Sequence, residues 1–175
     1  SRGAVEIAGH EQINSHYIAC QARHLNQMGG RGPLALGLAT AAMTNFVNRK
    51  SLSWHFKRCV FGVDKKCSPY ADLNDLPSQF YSLSEANMHQ VLLATGSIPL
   101  VLSPVTQIEG APKGHYYDGG ITDYHFDLPL QQSSGLTLYP HFYPNMSPGW
   151  FDKSLSWRLA KANYDNALIL APTQN

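Results

Sequence analysis

Charge is scarce in this chain. Only 14% of its 175 residues are Asp, Glu, Lys or Arg, and thirteen basic residues nearly balance twelve acidic ones for a net charge of +1. A near-neutral chain has no electrostatic footprint for DNA, RNA or an anionic membrane. With 43% apolar residues it is no disordered tail either. So little charge implies that much of its surface is covered by further chain, a partner or lipid.

Cysteine is almost as sparse. Cys20, Cys59 and Cys67 are widely spaced, and no Cys-x-x-Cys or Cys/His ligand spacing is present. That excludes a structural zinc site of the usual kind, and buried, reduced thiols fit an intracellular protein. No run of eighteen apolar residues and no signal-peptide pattern at the start are found. A cytoplasmic or peripheral-membrane location is therefore expected. Repeats and low-complexity tracts are missing too. The glycine-rich Met28-Gly29-Gly30-Arg31-Gly32-Pro33 lacks the Lys-Ser/Thr of a phosphate-binding P-loop. It reads as a linker, with an anion or oxyanion cradle as the alternative.

What is present suits one domain with a real core, residues 1–175. Ala4 to Met28 reads as helix, with Ile7, Ile13, Tyr17, Ile18 and Leu25 as a partial stripe. His10, His16 and His24 within it have no i, i+4 spacing and read as solvated or capping side chains. Leu34 to Met43 is a continuous apolar run, expected as a strand buried on both faces of a parallel sheet. Ser53 to Val63 is a second strand, and Asp64 to Pro77 a loop. Ser82-Leu83-Ser84-Glu85 starts a helix that runs to about Ala94 and stops at Gly96, with Pro99 just beyond. Leu100 to Val105, Gly114 to Asp118 and Leu136 to Tyr139 are short strands. Pro140 to Pro148 is loop, Trp150 to Asn163 helix and Ala167 to Leu170 a last strand. Strands alternating with helices give an α/β class.

The stretch with most chemical content is Tyr116-Tyr117-Asp118-Gly119-Gly120-Ile121-Thr122-Asp123. An acid there ends a strand, and two glycines remove the bulk beside it. Glycine lets a ligand or another chain approach closely. Alone, Asp-Gly is a common hairpin signal, and a plain turn is the bland reading.

Upstream lies Leu92-Leu93-Ala94-Thr95-Gly96-Ser97-Ile98-Pro99, followed by the apolar run Leu100 to Val105. A helix end, a small-residue turn, an Ile-Pro step, an apolar run and Asp-Gly-Gly in that order resemble the patatin-like phospholipase family. The resemblance covers about Pro33 to Pro129, with a weaker match to about Leu170. It implies a three-layer α/β hydrolase-type sheet, incomplete in this sequence. It further implies a lipid acyl hydrolase with a Ser-Asp dyad, its serine in a Gly-x-Ser-x-Gly elbow. Asp118 matches the dyad acid, and Gly119 and Gly120 match the motif glycines. The elbow is absent: Ser97 follows Gly96 but precedes Ile98-Pro99, and Ser133-Ser134-Gly135 lacks the leading glycine. The family's glycine-rich oxyanion loop is absent too. The chain is thus expected to be a fragment that begins after the nucleophile helix and stops inside a strand near Ala171. The expected substrate is a lipid or ester, with peripheral membrane contact and no nucleic acid. No cofactor is implied.

Two other features compete. Asp123, His125 and Asp127 alternate, and on a strand face the trio would suit a divalent metal, or a solvent-facing edge. Tyr139-Pro140-His141-Phe142-Tyr143-Pro144 and Pro148-Gly149-Trp150-Phe151 form either an apolar rim for acyl chains or core aromatics under a loop. A non-catalytic module that binds lipid or a protein partner is the alternative to the hydrolase.

Overall fold

A four-stranded sheet organises the chain. It is built from β1 (His16–Ala22), β2 (Phe56–Gly62), β3 (Ser78–Ser82) and β4 (Tyr116–Asp118), in the order β3-β2-β1-β4. The computed structural model describes all residues except 1, 2, 4, 5, 8, 9, 11, 12, 67, 71, 72, 74, 129–134, 142–144, 161–163 and 173–175. Strand β1 runs antiparallel to both β2 and β4, while β2 and β3 are parallel. Strands β2, β3 and β4 therefore share one direction. Their carboxyl ends lie beside the start of β1, where His16 pairs with Gly62 and Ala19 with Asp118.

Strand β1 is covered on both faces. Side chains alternate across a strand, and here the alternation divides two cores. Ala19 joins Cys59, Phe61 and Tyr116 under α3 (Met88–Thr95), against Met88, Val91 and Ala94. Cys20 and Ala22 face the other way with Tyr117, toward Leu34, Leu38 and Ala41 of α1 (Arg31–Val47). A helix on each face of a sheet is an α/β layering. A short helix, α2 (Leu52–His55), leads into β2 and buries Leu52 in the same core as α1. A separate parallel pair, β5 (Thr137–Pro140) and β6 (Ala167–Leu170), turns Leu138, Leu168 and Leu170 outward. Tyr139 turns inward, stacking between Phe126 and Tyr164 at ring separations of 6.4 and 6.3 Å.

The α/β class expected from the sequence is what the chain forms, but several elements differ. The stretch Ala4 to Met28 is not one helix: its second half is β1 and a 3-10 turn, His24–Gln27. Its apolar spacing imitates a helix stripe, yet Tyr17 and Ile18 are the β-favouring residues, and tertiary pairing decides. His16 lies in that strand, half-buried, 6.2 Å from the rings of Tyr70 and Phe80. Leu34 to Met43 is not a strand but the body of α1. Its Leu, Ala and Met are strong helix formers, and its buried residues, Leu34, Leu38, Ala41 and Asn45, recur at helical spacing. The Gly29 to Gly32 stretch is not a linker: Gly30 caps α1 at φ 96°.

The remaining differences are smaller. Ser82 ends β3, and α3 starts only at Met88, with Asn87 as its N-cap; Ser53 to His55 belong to α2 and not to the second strand. The sheet is mixed rather than parallel. Leu100 to Val105 is a turn, with only Val105 bridging to Tyr116. Trp150 to Asn163 holds a 3-10 turn, Trp150–Asp152, and further turns in place of a helix, its last three residues lying outside the described ones. Cys20 and Cys59 are buried free thiols, and burial pushes both up to about 12. Cys67 lies outside the described residues. Among the described residues, no helix is long and apolar enough to cross a membrane.

The helical register of α1 has a simple check. On a strand, Leu36 and Leu38 would share a face; on α1, Leu38 is 6% exposed and Leu36 57%. Leu38→Ala is expected to cost about 2–5 kcal/mol, the usual range for emptying a buried leucine site. Leu36→Ala is expected to cost under about 0.5 kcal/mol. Urea unfolding of the two variants measures the difference.

Candidate functional site

Asp118 is the last residue of β4 and the N-cap of a 3-10 turn, Gly119–Ile121. Its backbone N–H donates to Ser97 O at 3.0 Å, which ties the strand end to the turn after α3. One carboxylate oxygen, Oδ1, accepts the Gly120 N–H at 2.7 Å. Among the described residues, Oδ2 has no hydrogen bond. The side chain is half-buried, and burial pushes its carboxyl above the usual aspartate value, with the Gly120 N–H pulling partly back.

Asp118 lines a cleft of about 700 Å³ at the carboxyl end of β4 and the start of β1. Open α/β sheets bind ligands at that edge. Ile98 and Pro99 form one wall, Tyr17 and Ile18 of β1 the floor, and Tyr124, Phe126 and Trp150 the far side. Trp150 thus belongs to the rim, whereas Phe151 packs against the core of α1. Part of the aromatic loop region thus lines the cleft and part packs on the core, and Phe142, Tyr143 and Pro144 lie outside the described residues.

The two glycines have different reasons. Neither has a positive φ. A Cβ on Gly119 would lie 2.4 Å from the carbonyl oxygen of Ile18, so the turn sits directly on the β1 backbone. A Cβ on Gly120 would meet little more than Asp118 Oδ1, at 3.1 Å. Gly119 makes room for a strand and Gly120 for the carboxylate.

Beneath the turn is a buried ion network that sequence reasoning missed. Arg58, on β2, is 1% exposed. Its Nε and Nη2 donate to both oxygens of Asp123 at 2.7 and 2.6 Å, and its Nη1 and Nη2 to Asp75 at 2.8 and 3.1 Å. Thr122 Oγ1 donates to Asp123 Oδ2 at 2.6 Å, and the Cys20 thiol lies 3.1 Å from that hydroxyl. Arg49 donates to Thr122 O at 2.6 Å, to Asp75 at 3.2 Å and to the buried Asp152 at 3.1 Å. Asp152 also accepts from Asn45 of α1, at 2.7 Å. Burial alone would raise the Asp75 carboxyl, but Arg58 and Arg49 hold it below the usual value. The legible signal was Arg58 itself, a cation next to Lys57 inside the otherwise apolar strand Phe56–Gly62.

This network overturns the metal reading of Asp123, His125 and Asp127. No strand spans them, so they share no face. The Asp123 carboxylate is committed to Arg58. His125 is buried, accepts the Ser147 N–H on Nδ1 at 3.0 Å and packs against His141 at a ring separation of 3.8 Å. Burial lowers its pKa, with the Ser147 backbone pulling partly back. Among the described residues, no cluster of His, Cys, Asp or Glu is arranged to hold a metal.

Ser97 is equally committed. It is 4% exposed, and its hydroxyl donates to Leu93 O at 2.8 Å. It positions Asp118 through its backbone and is not presented to the cleft. Ser133 and Ser134 lie outside the described residues. Comparison with family models, with curated proteins and with solved structures gives no match for this chain.

Two outcomes test this geometry. Gly119→Ala must displace the β1 backbone and is expected to cost about 1–3 kcal/mol. Gly120→Ala should cost clearly less, and thermal unfolding of both measures the order. Arg58→Ala strands Asp123 as a buried, unpaired carboxylate and is expected to cost about 3–5 kcal/mol at pH 7. Asp75, held low in the folded state, contributes stability in full above the unfolded aspartate value of about 3.9, lost as pH falls below it. The Arg58→Ala deficit should therefore shrink below about pH 4, as urea midpoints across pH would show.

Proposed function

We propose that this chain carries the acid of a serine lipid acyl hydrolase of the patatin-like type, with Asp118 as the base of a Ser-Asp dyad. The nucleophilic serine lies outside these 175 residues, which contain no Gly-x-Ser-x-Gly. One observation carries the reading. Asp118 stands at the carboxyl end of β4, on a glycine turn, with one oxygen anchored to the Gly120 N–H and the other unbonded among the described residues, in a cleft walled largely by apolar side chains.

The chemistry follows from that placement. A serine hydroxyl is a weak nucleophile until a positioned base takes its proton. A free carboxylate, with a pKa near about 3.9, is a poor base. Partial burial raises that value for Asp118 and strengthens it as a base. Serine Oγ adds to the acyl carbonyl carbon while Asp118 accepts its proton. The alcohol then leaves with that proton, and an acyl-serine remains. Water, deprotonated in turn by Asp118, adds to the acyl carbon; the bond to serine Oγ breaks, Oγ takes the proton back from Asp118, and the fatty acid is released. The apolar walls suit an acyl chain. The oxyanion donors, like the serine, belong to chain outside these residues.

The second reading is a non-catalytic patatin-like module that binds lipid or a protein partner. It is favoured by the commitment of Ser97 to Leu93 and by the missing elbow.

Turnover decides between them. The 175-residue chain alone should not hydrolyse a short-chain p-nitrophenyl ester. In the protein that includes a Gly-x-Ser-x-Gly segment, Asp118→Asn should lower kcat by at least roughly a hundredfold, since a positioned base contributes about 10²–10⁴. A raised carboxyl favours folding when protonated and opposes it once charged, so Asp118→Asn should leave the melting temperature at pH 7 unchanged or higher. The acid limb of kcat/KM should lie above the free aspartate value. Near-full turnover in Asp118→Asn would refute the reading.

A further inference from the structure

The turn that follows α3 carries more than the wall of the cleft. Ile98, Leu100, Val101 and Leu102 are all exposed, Val101 by 73%. No charged residue occurs from 91 to 108. The turn is held rigidly: Val101 N–H and Leu102 N–H both donate to Ile98 O, at 3.2 and 2.9 Å. Leu100 takes a left-handed φ of 67°, and Arg31, at the start of α1, donates to its carbonyl oxygen at 3.0 Å. Among the described residues Arg31 has no ion pair, so its charge at the foot of the turn is not neutralised by an acid. Met28 is exposed beside it, across a shallow groove shared by both segments. The opposite flank of the turn, Ile98 and Pro99, walls the cleft that contains Asp118.

We propose that the turn Ile98 to Leu102 is the segment through which this protein enters a phospholipid surface, its side chains among the acyl chains and Arg31 at the level of the headgroup phosphates. The choice of a lipid partner rests on the acyl hydrolase reading. Geometry supplies the rest. An apolar tip above an unneutralised cation matches the layering of a bilayer interface, where apolar groups sit at the acyl boundary and arginine meets phosphate. Entry at this point sets the Asp118 cleft against the membrane, so a lipid reaches it along Ile98 and Pro99 without crossing water.

Co-sedimentation of the chain with phosphatidylcholine vesicles tests this without any turnover. The wild-type chain should bind, and Val101→Asp should bind at least about tenfold more weakly, since a buried valine side chain is worth roughly a factor of ten or more. Leu138→Asp, on the exposed face of β5, should bind like wild type. Val101→Trp should gain fluorescence quenching by brominated acyl chains. Absence of vesicle binding, equal loss with Leu138→Asp, or an unquenched Val101→Trp would overturn the proposal. So would Val101→Asp abolishing self-association in sedimentation velocity while leaving vesicle binding intact, which would make the turn an interface between copies. Vesicle binding with no hydrolysis by the serine-bearing protein would sink the hydrolase reading and leave the lipid contact standing. Hydrolysis without vesicle binding would do the reverse.

Discussion

The buried guanidinium of Arg58 is the constraint on which the rest depends. A charge with 1% exposure is tolerated only when it is paired and fully hydrogen-bonded. Asp123 and Asp75 meet that demand from two different loops. One closes the chain after β2, and the other follows the Asp-Gly-Gly turn. By fixing Asp123, Arg58 fixes Thr122 and the end of the turn that begins at Asp118. Arg49 continues the chain of pairs to Asp152 and Asn45, so α1 and the 3-10 turn at Trp150 are held in the same frame.

The carboxylates of this molecule are thereby divided by environment. Asp75, Asp123 and Asp152 face cations and stabilise the fold. Among the described residues Asp118 has no cation partner, and burial raises it. Asp75, held low by Arg58 and Arg49, and Asp118, raised by burial, are pushed apart, and such a divergence marks where chemistry is separated from structure. The separation also explains why the turn needs two glycines. Gly119 lets the frame close onto β1, and Gly120 leaves the free carboxylate its space. A turn that is over-determined from below can present one side chain in a fixed pose to a cleft.

Legibility varied with the kind of signal. The end of the helix at Gly96, the strand before Asp118 and the last strand at Ala167–Leu170 were readable because local punctuation and propensity agreed with the tertiary outcome. Leu34 to Met43 was misread because an unbroken apolar run has no period to choose between strand and helix, although its Leu, Ala and Met content pointed to helix. His16–Ala22 was misread because a strand buried on both faces also lacks alternation, and its neighbours supplied a helix-like spacing. Asp123 to Asp127 alternates in sequence but not in space, since bends interrupt it.

The sequence by itself determined the α/β class, the strand end at Asp118 and the order of motifs that carries the hydrolase reading. These depend on neighbours along the chain: propensity, caps and glycine turns act over a few residues. Only the tertiary structure decided the sheet order and the split of the two cores across β1. It alone joined Ser97 O to Asp118 N–H, committed Asp123 to Arg58 rather than to a metal, and opened the cleft beside Ile98. Each of these is a contact between segments tens of residues apart, and no local pattern encodes which distant partner a buried charge or backbone group will find.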